Sequence, residues 1–138
     1  MKVLTIGTFD LLHAGHLAML ERAAEIGELM VGVNSDGFVT AYKGSPYEPY
    51  SIRAGHVSCL PYVSRVVEND GPGADLIREL RPSVLAIGPD WMPPRDYLGQ
   101  IGLSSDELFG LDVVLAFVPP PRTPGLASSV IRESIGGW

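Results

Sequence analysis

The first forty residues constrain the fold most, because the spacing of their apolar side chains changes twice. Lys2-Val3-Leu4-Thr5-Ile6-Gly7 is a short apolar run without helical period, closed by the turn-forming Thr8-Phe9-Asp10. It predicts a buried strand. Leu17, Leu20, Ala23, Ala24 and Ile26 then recur at helical spacing, with Glu21, Arg22 and Glu25 largely on the other face and Gly27 as a helix stop. Leu29 to Val33 returns to a nearly continuous apolar run that ends at Asn34-Ser35-Asp36-Gly37, a strong turn signal. Together these segments form a strand, helix, strand unit.

The alternation continues along the chain. Helices are expected around Ile52 to Leu60 and Ala74 to Leu80, and strands at Val63 to Val67, Val84 to Ile87 and Val113 to Val118. A last helix is expected from about Ser128 to Ser134, with Ser128 or Ser129 as its cap. Such a pattern predicts an α/β fold: one Rossmann-like, doubly wound, five-stranded parallel sheet with helices on both faces. Two segments break the regularity. Ala41 to Tyr50, rich in proline and tyrosine, reads as a loop over the carboxyl edge of the sheet, and Trp91 to Gly110 reads as a substrate lid or a dimer contact. With 138 residues and no repeat, low-complexity tract or linker, residues 1–138 read as a single domain.

Composition narrows the function. The formal charge of −6 has the wrong sign for a general nucleic-acid surface, so any anion must be held locally. Apolar stretches such as Val113 to Pro121 fall far short of the roughly 20 residues that cross a bilayer, so no membrane insertion is expected. The amino terminus reads directly as a strand, with no room for a secretion signal. The single cysteine, Cys59, forms no internal disulfide, which suits a cytoplasmic location, and Val57 and Leu60 beside it suggest a small buried hydrophobe.

Gly7-Thr8-Phe9-Asp10-Leu11-Leu12-His13-Ala14-Gly15-His16-Leu17 lies between the first strand and first helix, where open parallel sheets bind ligands. Helix amino termini favour anions because free N–H groups and the dipole point outward. His13 and His16, three apart, share one side of the helix start, and Gly15 between them lets a ligand approach the backbone. Two imidazoles there donate hydrogen bonds to phosphate oxygens, with charge added on protonation. A zinc pair fits less well, since metal-binding helix histidines more often sit four apart with a further acid or thiolate. The remaining alternative is two incidental surface histidines.

The stretch GTFDLLHAGH resembles the His-x-Gly-His signature of the cytidylyltransferase-like nucleotidyltransferases, most strongly the glycerol-3-phosphate cytidylyltransferases. Asp36 to Arg53 resembles their lysine-bearing loop and following helix, Gly88-Pro89-Asp90-Trp91 their Gly-Asp-Asp-Trp turn, and Arg122-Thr123-Pro124-Gly125-Leu126-Ala127-Ser128-Ser129 their Arg-Thr-x-Gly-Ile-Ser-Thr-Thr signature. The resemblance implies that His13, His16, Lys43 and Arg122 hold the phosphates as the catalytic set. It implies nucleotide contacts from Gly7, Thr8, Phe9, Gly15, Asp90, Trp91, Thr123, Ser128 and Ser129. Lys43 would bring a mobile point charge from the tyrosine-rich loop, and Arg122 a forked set of donors. Asp90 and Trp91 would contact ribose or base and close the pocket.

Arg53 matches a position on the acceptor side, with a helix-surface salt bridge as its ordinary alternative. Asp10 would serve the acceptor side, orient the signature loop or help place Mg2+, which is otherwise held mainly by the nucleotide phosphates; an Asp in a turn also commonly bonds its own backbone. The chain departs from the glycerol-phosphate enzymes at Pro61-Tyr62-Val63-Ser64, in place of their Arg-Tyr-Val-Asp, and at Pro89 and Pro124.

These features imply transfer of a nucleoside monophosphate, CMP from CTP before AMP from ATP, to a small phosphorylated acceptor such as glycerol 3-phosphate or another alcohol or sugar phosphate. The alternatives are an adenylyltransferase acting on a sugar phosphate and a noncatalytic nucleotide-binding module. Expected partners are the nucleoside triphosphate, the acceptor and a second copy of the chain.

Overall fold

The computed structural model describes residues 1–88 and 96–118. Five strands, β1 (Lys2–Gly7), β2 (Glu28–Asn34), β3 (Val63–Asn69), β4 (Val84–Ile87) and β5 (Val114–Phe117), form one sheet in the order β3-β2-β1-β4-β5. Every pairing is parallel, with Val3 opposite Leu29 and Val84, and Leu85 opposite Leu115. The α/β expectation holds. Among the described residues six helices surround the sheet: α1 (Ala14–Ile26), α2 (Asp36–Lys43), α3 (Tyr50–Ser58), α4 (Ala74–Leu80), α5 (Tyr97–Ile101) and α6 (Ser105–Gly110).

The two-residue period of the strands divides the core into two halves. Val3, Leu29, Val31, Val33, Val84 and Ala86 face one side, packed with Met19, Leu20 and Ala23 of α1 and Val57 of α3. Leu4, Met30, Leu85 and Ile87 face the other, packed with Leu76 and Ile77 of α4, Tyr97 and Ile101 of α5, and Leu108 of α6. Both faces are therefore covered.

Several sequence expectations need correction. The buried stripe of α1 is His16, Met19, Leu20 and Ala23, whereas Leu17 and Ile26 are exposed. The face is turned by about one residue because a histidine ring occupies a core position. Asn34 to Gly37 is a helix start: the Ser35 hydroxyl accepts from the N–H of Phe38 and opens α2, which takes up the first part of the expected Ala41 to Tyr50 loop. The residue types that make turns also cap helices, which is why the two readings were confused.

The described part of the Trp91 to Gly110 segment, residues 96–110, helps cover the second face through Tyr97, Ile101, Leu103 and Leu108. Asp96 and Ser104 cap α5 and α6, whose five- and six-residue lengths are too short to show a period. Gly27 ends α1 in extended backbone, and a Cβ there would stand 2.5 Å from the Met1 carbonyl. Cys59 is exposed, against expectation. The expected helix at 128–134 lies outside the described residues.

Because β2 and β4 flank β1 on opposite sides, the chain leaves β1 in both directions and opens a crevice at its carboxyl end. No helix among the described residues is long and apolar enough to cross a membrane.

Candidate active site

At the carboxyl end of β1 the chain turns through Phe9 and Leu11, which have φ of 55° and 50°. Such left-handed backbone at bulky residues stores strain, and it is typical of loops that position ligands. His13 then caps α1. Its Nδ1 accepts from the N–H of Gly15 at 3.1 Å and of His16 at 3.4 Å, and the N–H of His13 donates to Nδ1 of His16 at 3.2 Å. This is a reciprocal capping box in which two imidazoles replace the usual hydroxyl and carboxyl pair.

Acceptance at both Nδ1 atoms leaves the proton of each neutral ring on Nε2, which makes Nε2–H a donor. The rings stack with centroids 3.7 Å apart at 22°, and Phe9 meets His16 edge to face at 5.6 Å. His16 is completely buried. Burial first, then the neighbouring His13 and Lys43, push its pKa down to about 3, and burial alone lowers that of His13. The His16 ring is therefore uncharged at neutral pH, and its Nε2–H is a neutral donor at a positive helix end.

Lys43 also differs from expectation. It is the last residue of α2, not part of a mobile loop. Partial burial lowers its pKa, partly offset by the attraction of Asp10. Gly44 follows at φ 101°, where a side chain would be strained.

Arg53 is completely buried, and the salt bridge it makes, to Asp36 at the start of α2, is exposed only on the Asp36 side. Its Nη1 donates to the carbonyls of Thr8 at 2.7 Å and Asn34 at 2.8 Å, its Nε to the carbonyl of Glu48 at 2.9 Å, and its Nη2 to Asp36 at 2.7 Å. One guanidinium thus ties the ends of β1 and β2 to the segment after Lys43, and it holds the Asp36 carboxyl below the usual range.

Asp10 uses both carboxylate oxygens, accepting from the N–H of Tyr47 at 2.7 Å and of Glu48 at 2.9 Å. It bonds a distant backbone rather than its own. Among the described residues no group of three or more His, Cys, Asp or Glu is placed to hold a metal ion.

Beside this loop a cavity of about 170 Å³ opens at the crevice. Gly7, Thr8 and Phe9 line it, as does Asn34; Phe38 and Tyr42 of α2 and Tyr97, Gln100 and Ile101 of α5 form its walls. Gly15, His13 and His16 stand outside that lining, on the α1 side of Phe9.

A polar chain that sequence reasoning missed braces its rim. Asn69 donates to Asn34 at 2.8 Å, Asn34 to the Thr8 hydroxyl at 3.2 Å, and Thr8 shares a 3.1 Å bond with Tyr42. Asn34 and Asn69 end neighbouring strands, and that position at the carboxyl edge was the available signal. Asp90, Trp91, Arg122, Thr123, Ser128 and Ser129 lie outside the described residues.

The chain is similar to several known proteins. The glycerol-3-phosphate cytidylyltransferase of Bacillus subtilis is 33% identical over 140 residues, covering 99% of this chain and 98% of that protein. The bifunctional protein HldE of Campylobacter concisus is 44% identical over 138 residues, of which this chain spans only 26% of the length. The FAD synthase of Pyrococcus horikoshii is 42% identical over 95 residues, covering 65% of this chain and 64% of that protein. In fold, the chain matches a crystal structure of the lipopolysaccharide core biosynthesis protein from Thermoplasma volcanium GSS1, with a TM-score of 0.71, 23% identity, and coverage of 86% of this chain and 96% of that one. Residues 4–134 match the cytidylyltransferase-like family from near the start of β1 to beyond β5, and the chain belongs to that family of nucleotidyltransferases.

Proposed function

We propose that the protein transfers a cytidylyl group from CTP to a sugar or polyol phosphate and releases pyrophosphate. The observation that carries this reading is the opening of α1, where two stacked, neutral imidazoles satisfy the first backbone N–H groups and add two Nε2–H donors to a positive helix end. Such a site suits the phosphates of a triphosphate. The cavity between α2 and α5 would take the organic body of the acceptor, because aromatic faces from Phe38, Tyr42 and Tyr97 alternate there with the amide and hydroxyl tips of Asn34, Gln100 and Thr8.

The reaction is a direct in-line displacement. An ionised phosphate oxygen of the acceptor attacks the α-phosphorus, and the bond from that phosphorus to the bridging oxygen of pyrophosphate breaks as the new bond forms. No proton need be removed from the nucleophile, so the protein aligns the partners and stabilises charge on the α-phosphate and leaving group. His13 and His16 supply hydrogen bonds, Lys43 a point charge, and Arg122 further donors from outside the described residues. Mg2+ would enter with the triphosphate, held by phosphate oxygens.

We place the enzyme in the cytoplasm, where nucleoside triphosphates are kept, and read it as a homodimer; the exposure of Val114 on the outer strand β5 and of Phe109 on α6 supports a second copy, which size-exclusion chromatography with light scattering tests. Adenylyl transfer from ATP is the second reading, favoured by the FAD synthase match, since FAD contains an adenylyl group. Pyrophosphate release with each of the four nucleoside triphosphates against glycerol phosphate and sugar phosphates separates them. CTP dependence is expected; preference for ATP selects the second reading, and binding without turnover on every acceptor defeats both.

A further inference from the structure

Tyr47 is 78% exposed, yet its N–H and that of Glu48 are both held by the Asp10 carboxylate. The Glu48 side chain returns the bond: its Oε1 accepts from the N–H of Leu11 at 3.0 Å, while its other oxygen stands 3.9 Å from Nδ1 of His56. Each acid therefore clamps the backbone of the other's segment, one on the strained loop before His13 and the other on the segment after Lys43. Arg53 closes the assembly from beneath through the carbonyls of Thr8 and Glu48. Lys43 lies at the hinge of this arrangement, just before Gly44.

We propose that Glu48 and Asp10 form a reciprocal latch that joins the segment after Lys43 to the His13 loop, so that Glu48 is a positioning residue which sets where Lys43 meets the phosphates. This rests on the nucleotidyltransferase reading only for the role of Lys43; the latch itself is a matter of hydrogen bonds. Glu48 acts as an acceptor, not through its charge. A glutamine keeps a carbonyl oxygen for the N–H of Leu11, whereas an alanine removes it.

Two measurements test this. Hydrogen exchange of the wild-type protein is expected to show the amides of Tyr47 and Glu48 protected, with exchange about tenfold or more faster in Glu48→Ala and in Asp10→Asn, and unchanged over β1 and β2. Pyrophosphate release is expected to fall about tenfold in Glu48→Ala, chiefly as a higher nucleotide KM, and to stay within about threefold of wild type in Glu48→Gln. Because the latch works through Lys43, Glu48→Ala added to Lys43→Ala should cost nothing more.

Equally fast exchange of the Tyr47 and Glu48 amides in wild type and variants would overturn the latch. So would additive losses in the double variant, or a Glu48→Gln as damaged as Glu48→Ala. If no nucleotide is turned over but the protection is present and lost as described, the proposed reaction fails and the latch stands.

Discussion

Helices α1 and α4 begin in equivalent places, each just beyond a strand at the carboxyl edge and each covering one face of the sheet, yet their amino ends are built in opposite ways. α4 opens on Gly73 without a side-chain cap and carries Asp75 in its first turn. α2, which follows β2, likewise has Asp36 there. α1 has no acid in its first turn, and its opening N–H groups are satisfied by imidazole nitrogens. A carboxylate at the start of a helix partly neutralises the dipole and repels a second anion, whereas neutral rings satisfy the backbone and leave the positive end uncompensated. The same topology thus produces an acid-bearing helix start in one place and an uncompensated positive helix end in the other.

The largest effect should come from removing that site. His16→Ala is expected to lower turnover about a hundredfold or more in a pyrophosphate-release assay, by analogy with a lost oxyanion donor, while Asp75→Ala stays within about twofold. Similar losses at both helices would break the contrast.

The next effect is on stability. Since the pKa of His16 is about 3 when folded and near 6.5 when unfolded, the unfolded chain binds more protons between those values, and stability falls as the pH drops through that window. Denaturant titrations should show a loss on the order of 2 kcal/mol between pH 6.5 and pH 4, flattened in His16→Gln, whose amide can still serve the capping box. No difference in slope between the two proteins would mean that His16 titrates normally.

A smaller and sharper test places the α4 design on α1. Ala14 is exposed at the first position of that helix. Ala14→Asp should raise the nucleotide Kd about tenfold in calorimetry while leaving the melting temperature equal or slightly higher. Unchanged affinity would show that the helix end does not face the phosphates. Smallest of all, Asp75→Asn should lower the melting temperature by about 1–2 °C and leave nucleotide affinity alone.

Much of this was legible in the chain because it depends on local spacing. Val3, Leu4, Leu29 to Val33 and Val84 to Ile87 announce strands buried on both faces, and the interval from Gly7 to His16 announces a loop that opens a helix. Expectation failed where one residue type serves two purposes or an element is too short to repeat. Ser35 read as a turn and is a cap; Tyr97 to Ile101 is a single turn of helix and shows no period. The burial of Arg53 was the least legible feature. A cation near a helix start ordinarily faces water, and only the convergence of the Thr8, Asn34 and Glu48 carbonyls explains its burial.

By itself the sequence determined the parallel α/β architecture and the pairing of His13 with His16 at the opening of α1, since periodicity and short spacings are properties of neighbouring residues. The tertiary structure decided that His16 is uncharged, that Arg53 is buried, and that Asp10 and Glu48 bind each other's loops. Those outcomes depend on burial and on partners roughly thirty-five to forty-five positions away, and a linear chain contains neither until it has folded.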